Sequence, residues 1–144
     1  MGVAERQAEI VAEFAGMTDW KARYRRIIEI GRALPPLAAE FQTDTFKVKG
    51  CQSQVWLHAR HEGGLVHFAA TSDSDIVRGL VALVVKAYSG ATPDEVISQP
   101  PSFIDQIGLG ESLTQARANG LSAMVKQVKL YAVAFKSLGG ASVG

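Results

Sequence analysis

Only one of the 144 residues is a cysteine, Cys51. A single thiol excludes an internal disulfide, a CxxC redox pair and a zinc site made of several thiolates. Neither sign of charge is in excess. Fifteen Lys and Arg stand against 14 Asp and Glu, a formal charge of +1, which argues against bulk nucleic-acid binding because that needs a strongly basic face. Long hydrophobic runs are missing too: the longest, Leu80 to Val85, falls far short of a membrane span. The opening stretch from Gly2 to Glu9 is too polar for the apolar part of a signal peptide, and a reduced thiol without an export signal points to the cytoplasm. No repeat or low-complexity stretch appears. With 47% hydrophobic and 20% charged residues, the composition is that of a globular domain. The length suits one domain, residues 1–138, followed by a flexible tail at 139–144.

The hydrophobic pattern has two periods. Ile10, Val11 and Phe14 have helical spacing in a segment from about Ala4 to Phe14 that Gly16 ends. Thr18 is the expected N-cap of a second helix. In that helix Trp20, Tyr24, Ile27, Ile28, Gly31 and Leu34 form a core-facing stripe, stopped by Pro35-Pro36. Glu5, Glu9 and Glu13 on the first helix and Lys21, Arg23, Arg25, Arg26 and Arg32 on the second read as two solvated faces. Residues 37–46 show no period and are expected to form a loop.

From Val55 the period becomes two: Val55, Leu57 and Ala59 alternate with Trp56, His58 and Arg60, and Val66, Phe68 and Ala70 with His67 and Ala69. Gly63-Gly64 lies between them, which predicts a β-hairpin. Lys47 to Lys49 are expected to add a short strand, leaving Cys51 in the loop between two strands. Asp73 or Ser74 then caps a helix with Ile76, Leu80, Leu83, Val84 and Ala87 inward, ending near Gly90. Thr92-Pro93-Asp94-Glu95 predicts a full capping box, Pro100-Pro101 a break, and 103–107 one or two more turns. The last helix runs from about Gln115 to Leu138, with Leu121, Met124, Val125, Val128, Ala132 and Phe135 as its core positions. Helices bracketing a small antiparallel sheet make an α+β fold.

Cys51 sits in Val48-Lys49-Gly50-Cys51-Gln52-Ser53-Gln54-Val55-Trp56. Gly50 loosens the backbone before the sulfur, and Lys47 and Lys49 are near enough in sequence to favour thiolate over thiol. Free cysteine is also among the residues most often buried for packing. Composition leaves both readings open. Other chemistries find less support. A two-residue Gly-Gly turn pairs Arg60 with His67 and His61 with Val66, so His61 lies on the face opposite His58 and His67 and the three do not converge on a metal. A cysteine-peptidase site needs a base beside the thiol, which a Gln-rich loop does not supply. A peroxide-sensing thiol would lack an internal resolving cysteine. Trp56 reads as hairpin cover. Arg117 opens the last helix, the unfavourable end for a cation, which suggests a role beyond helix stability: holding a carboxylate, or stabilising an anionic sulfur.

Four segments, in order, resemble the SufE family of sulfur-transfer partners of cysteine desulfurases in iron–sulfur cluster assembly. Gly50-Cys51-Gln52-Ser53-Gln54-Val55-Trp56 is similar to its acceptor-cysteine motif. Ile27 to Pro35 is similar to its "IIELG-x-x-LP" stretch, and Ser72 to Leu80 to its "SDA-x-IV-x-GL" element. Leu113-Thr114, Arg117, Gly120-Leu121 and Met124 are similar to its "L(S/T)-x-x-R-x-x-GL-x-x-M" helix. Ile30, Ser74 and Gln115 depart from the pattern without touching the cysteine motif. The resemblance implies a SufE/NifU-like fold and a sulfur acceptor that activates a desulfurase, rather than a free-standing enzyme. Cys51 would then be the persulfide acceptor, with Gly50, Gln52, Gln54, Asp73 and Arg117 supporting it. The partners it implies are a pyridoxal-phosphate cysteine desulfurase and a downstream iron–sulfur scaffold. It implies no cofactor on this chain, because the pyridoxal phosphate belongs to the desulfurase. A redox-regulated interaction module and a purely structural domain are the alternatives.

Overall fold

In the computed structural model, residues 2–109 and 113–139 are described. Helix α1 spans Val3–Ala15 and buries Val3, Gln7, Ile10 and Phe14, one face at a spacing of three to four. The buried polar residue on that face, Gln7, is fully engaged. Its amide donates to the Pro100 carbonyl and its oxygen accepts the Phe103 N–H, each at 2.9 Å, so a polar side chain ties α1 to a distant loop with its hydrogen-bonding groups satisfied.

Helix α2 spans Trp20–Arg32, and its N-cap is Asp19, whose carboxylate accepts the Lys21 N–H at 3.1 Å; the cap expected at Thr18 lies one residue further on. Of its apolar stripe only Ile27 and Gly31 are deeply buried. Trp20, Tyr24, Ile28 and Leu34 are half-buried along the edge of the core. The charged faces of α1 and α2 are largely solvated, as expected, with Glu5, Glu9, Lys21, Arg25 and Arg32 exposed, while two arginines of α2 reach across to neighbouring elements. Arg26 pairs with Glu13 at 2.5 Å. Half-buried Arg23 donates to the carbonyls of Met17, Phe14 and Ile107, covering the end of α1.

Residues 37–46, expected to be an irregular loop, hold two 3-10 turns, Ala39–Phe41 and Asp44–Phe46. The strand expected at Lys47–Lys49 reduces to a single bridge between Lys47 and Trp56, closed by the Val48 N–H on the Val55 carbonyl at 2.8 Å. Strands β1 (Val55–Glu62) and β2 (Leu65–Ser72) form the antiparallel hairpin with Arg60 opposite His67 and His61 opposite Val66. Gly63 and Gly64 both take positive φ, 62° and 79°, as a tight hairpin turn requires. Val55, Leu57, Val66, Phe68 and Ala70 are buried against the helices. On the other face His58 stacks on Phe41 at 3.8 Å between ring centroids and meets Phe46 edge-on; His61, on the helix side, lies against Phe135 of the last helix.

Helix α3 (Asp75–Tyr88) is capped by Ser74, not Asp73, and is buried nearly all round because it touches α1, α2, β2 and the last helix. Its crossing with α2 is made glycine on glycine. A Cβ on Gly31 would fall 2.5 Å from the Gly79 nitrogen, and one on Gly79 would overlap the Ile27 backbone. Helix α4 (Pro93–Ser98) has Thr92 as its cap, but only half of the expected capping box forms, because the Glu95 carboxylate accepts the Val3 N–H of α1 instead. Helix α5 (Ser102–Gln106) is a short turn, and α6 (Gln115–Gly139) closes the fold. On α6, Leu121, Met124, Val125, Val128 and Ala132 are buried as expected, with Phe135 half-buried. Gly139 ends the helix, and the rest of the expected flexible tail, 140–144, lies outside the described residues. The result is an α+β fold with a two-stranded antiparallel sheet packed on helices.

Candidate functional site

Cys51 lies in the loop between the Lys47 bridge and β1. Gly50 holds φ at +92°, a conformation L side chains rarely adopt, and so turns the chain to aim Cys51 at α6. The thiol is half-buried, and its S–H donates to the Gly120 carbonyl at 3.5 Å. A Cβ on Gly120 would stand 3.4 Å from the sulfur, so the thiol lies in van der Waals reach of the helix at this position. Burial pushes the Cys51 pKa up from its ordinary value. This reverses the expectation that Lys47 and Lys49 lower it: both lysines are exposed and line a separate groove away from the sulfur.

The sulfur opens on a cavity of about 240 Å³ walled by Val77 and Leu80 of α3 and Arg117, Gly120, Leu121 and Met124 of α6. Three of the separate sequence segments, those of the cysteine, of α3 and of α6, therefore meet around one space. Arg117 is half-buried in the first turn of α6, and its guanidinium donates to the Tyr24 hydroxyl at 3.2 Å. Its partner among the described residues is thus a neutral phenol from α2, not a carboxylate.

Asp73 was a candidate helix cap and secondary site residue. Ser74 takes the cap, while Asp73 turns to the cysteine loop: its carboxylate accepts the Gln54 N–H at 3.0 Å, and its own N–H donates to the Gln54 carbonyl at 3.2 Å. These two bonds clamp the far end of the cysteine loop to the start of α3. Gln54 shapes the loop through its backbone rather than its exposed side chain, while exposed Gln52 stands at the cavity rim. Sequence reasoning missed Gly120 and Tyr24 as parts of the site. The signal at Gly120 was available, since a glycine inside a helical pattern costs about 1 kcal/mol against alanine and calls for a packing reason. No signal marked Tyr24, whose link to Arg117 spans 93 positions.

No three His, Cys, Asp or Glu side chains group together among the described residues, and no helix there is long and apolar enough to cross a membrane. Comparison with known proteins covers most of the chain. Over 126 residues it is 43% identical to an uncharacterised SufE-like protein of Rhizobium etli, covering 84% of this chain and 85% of that one. It is 36% identical over 117 residues to the sulfur acceptor protein CsdE of Escherichia coli, covering 80% of each. The fold superposes on the solution structure of a hypothetical protein from Thermus thermophilus with a TM-score of 0.77, at 22% identity, over 92% of this chain and 96% of that one. The family described as "SufE: Fe-S metabolism associated domain" matches residues 8–132. Four ordered motifs, a shared fold and a family match over most of the length agree, and this chain belongs to the SufE family.

Proposed function

We propose that this protein accepts sulfane sulfur on Cys51 from a cysteine desulfurase and carries it toward iron–sulfur cluster assembly. The observation that carries this reading is the thiol itself. It is the chain's one cysteine, half-covered, and set beside a cavity whose walls, among the described residues, are largely apolar with a single cation, Arg117. In the transfer, the Cys51 thiolate attacks the outer sulfur of the partner's persulfide. A new S–S bond forms at Cys51, the partner's S–S bond breaks, and the inner sulfur leaves as the partner's thiolate. No net oxidation occurs; the outer sulfur arrives with its proton and gives it up to solvent when the Cys51 persulfide ionises. The pyridoxal phosphate that generates the persulfide stays with the desulfurase.

The residues divide the task. Gly50 aims the loop, the Asp73–Gln54 clamp fixes one end of it, and Gly120 gives the sulfur a place to rest. Arg117, steadied by Tyr24, supplies positive charge at the cavity wall, which favours an anionic persulfide over a neutral one. Val77, Leu80 and Met124 offer the carried sulfur an apolar wall. The protein acts as a carrier and an activator of its partner in the cytoplasm, and passes its sulfur to a scaffold. Replacing Cys51→Ser tests this. Serine fits the loop but cannot hold sulfane sulfur, so the variant folds normally and no longer stimulates desulfurase turnover. Stimulation equal to that of the parent would remove the carrier role.

A further inference from the structure

On the other side of the cysteine loop from the cavity runs an open groove of about 670 Å³, between the segment Asp44–Lys49 and the outer face of α6. Lys47, Lys49 and Lys126 line it and all three are exposed. Among the described residues Asp44 is the one carboxylate on its walls, and it makes no ion pair with these lysines. Three ammonium groups against one carboxylate is a strong local excess in a chain whose formal charge is +1. At its far end Leu130 stands 50% exposed, a large apolar side chain without cover.

The groove adjoins the site through two residues. Lys49 is two positions before Cys51. Ala123 lines the groove, a Cβ on Gly50 would touch it at 3.4 Å, and it sits one helical turn from Gly120, on which the sulfur rests. A protein that reaches Cys51 needs a footprint of about 800 Å² per partner for a stable encounter, far more than the loop offers. Such a footprint extends over the groove.

We infer that the groove docks an acidic segment, carrying one large apolar side chain, of the desulfurase that loads Cys51. The inference rests on the sulfur-acceptor reading above. The lysines attract the segment over long range and raise the rate of encounter, and Leu130 gives the arrested segment an apolar contact beside the loop. A nucleic acid fits less well. The two aromatic residues lining the groove are half-buried and held to the fold, Phe46 by its contact with His58 and Tyr131 by its hydrogen bond to the Leu57 carbonyl, rather than standing out as a row of stacking platforms.

The test compares the parent with a triple K47E/K49E/K126E variant and a triple Lys→Gln variant at the same positions. The probe is a pyridoxal-phosphate cysteine desulfurase that the parent stimulates. The inference expects the second-order rate of sulfur transfer at low salt to fall about tenfold or more in the Glu variant and less in the Gln variant. The parent's salt dependence should flatten, while labelling of Cys51 by iodoacetamide stays at the parent rate in both. Transfer at the parent rate with the parent's salt dependence overturns the groove and leaves the acceptor reading standing. Tighter binding of a single-stranded oligonucleotide than of the desulfurase, or a parent dimer that the Glu variant loses, also overturns it. If no desulfurase loads the parent, the acceptor reading fails first and the docking role with it.

Discussion

At the scale of the residue, Cys51 faces two opposed demands. Nucleophilic attack needs thiolate, yet burial against α6 raises the thiol pKa and favours the protonated form. For an acid whose folded pKa is raised, the protonated form is bound more tightly by the fold. Its contribution to stability is full below the unfolded pKa and is lost as pH rises through the folded one. The half-buried thiol is therefore biased toward its protonated form, and a partner that draws the loop outward is expected to restore ordinary reactivity. Iodoacetamide labelling against pH checks this. In the free protein the midpoint should lie above that of an unfolded peptide holding the same sequence. A desulfurase with its own catalytic cysteine replaced should speed labelling at neutral pH. Labelling as fast as the peptide in both states would show that Cys51 is never covered. The clamp by Asp73 and the glycine bed at Gly120 act at the same scale, each on one part of the loop.

At the scale of the element, the crossing of α2 and α3 decides whether the site can assemble. Tyr24 on α2 must meet Arg117, and Val77 and Leu80 on α3 must face Cys51. Both depend on how closely Gly31 and Gly79 let the two helices approach. Gly79→Ala improves helix propensity by about 1 kcal/mol, but its Cβ would lie 2.5 Å from the Ile27 Cγ2 and overlap backbone as well. Overpacking of this kind costs about 1–3 kcal/mol, so the net effect is destabilising, and denaturant unfolding should show a lower midpoint. A variant as stable as the parent would mean that the helices pack less closely than the structure shows. Much at this scale was legible in the sequence. The Gly-Gly turn and alternating residues defined the hairpin down to its register, and the stripes on α1, α3 and α6 gave their buried faces. Caps were legible only to within one residue at Thr18/Asp19 and at Asp73/Ser74. Adjacent polar side chains can each cap, and tertiary contacts choose between them, as the hydrogen bonds of Asp73 to Gln54 show.

At the scale of the whole molecule, the cavity joins residues far apart in the chain: Cys51 from a loop, Val77 from α3, Arg117 and Gly120 from α6. The sequence motifs marked most of these positions singly. Their convergence, the burial of the thiol and the placing of Lys47 and Lys49 in a groove of their own depend on packing between elements, which local spacing does not encode. The same arrangement places a largely apolar cavity and an open groove lined by Lys47, Lys49 and Lys126 next to one loop. The central claim is that Cys51 carries sulfur. The most direct measurement is the intact mass of the protein after incubation with a cysteine desulfurase and free cysteine, followed by mapping of the modified peptide. The account predicts a gain of one sulfur atom, removed by a reductant, on the peptide holding Cys51. An unchanged mass, or a gain of oxygen without sulfur at Cys51, would contradict it.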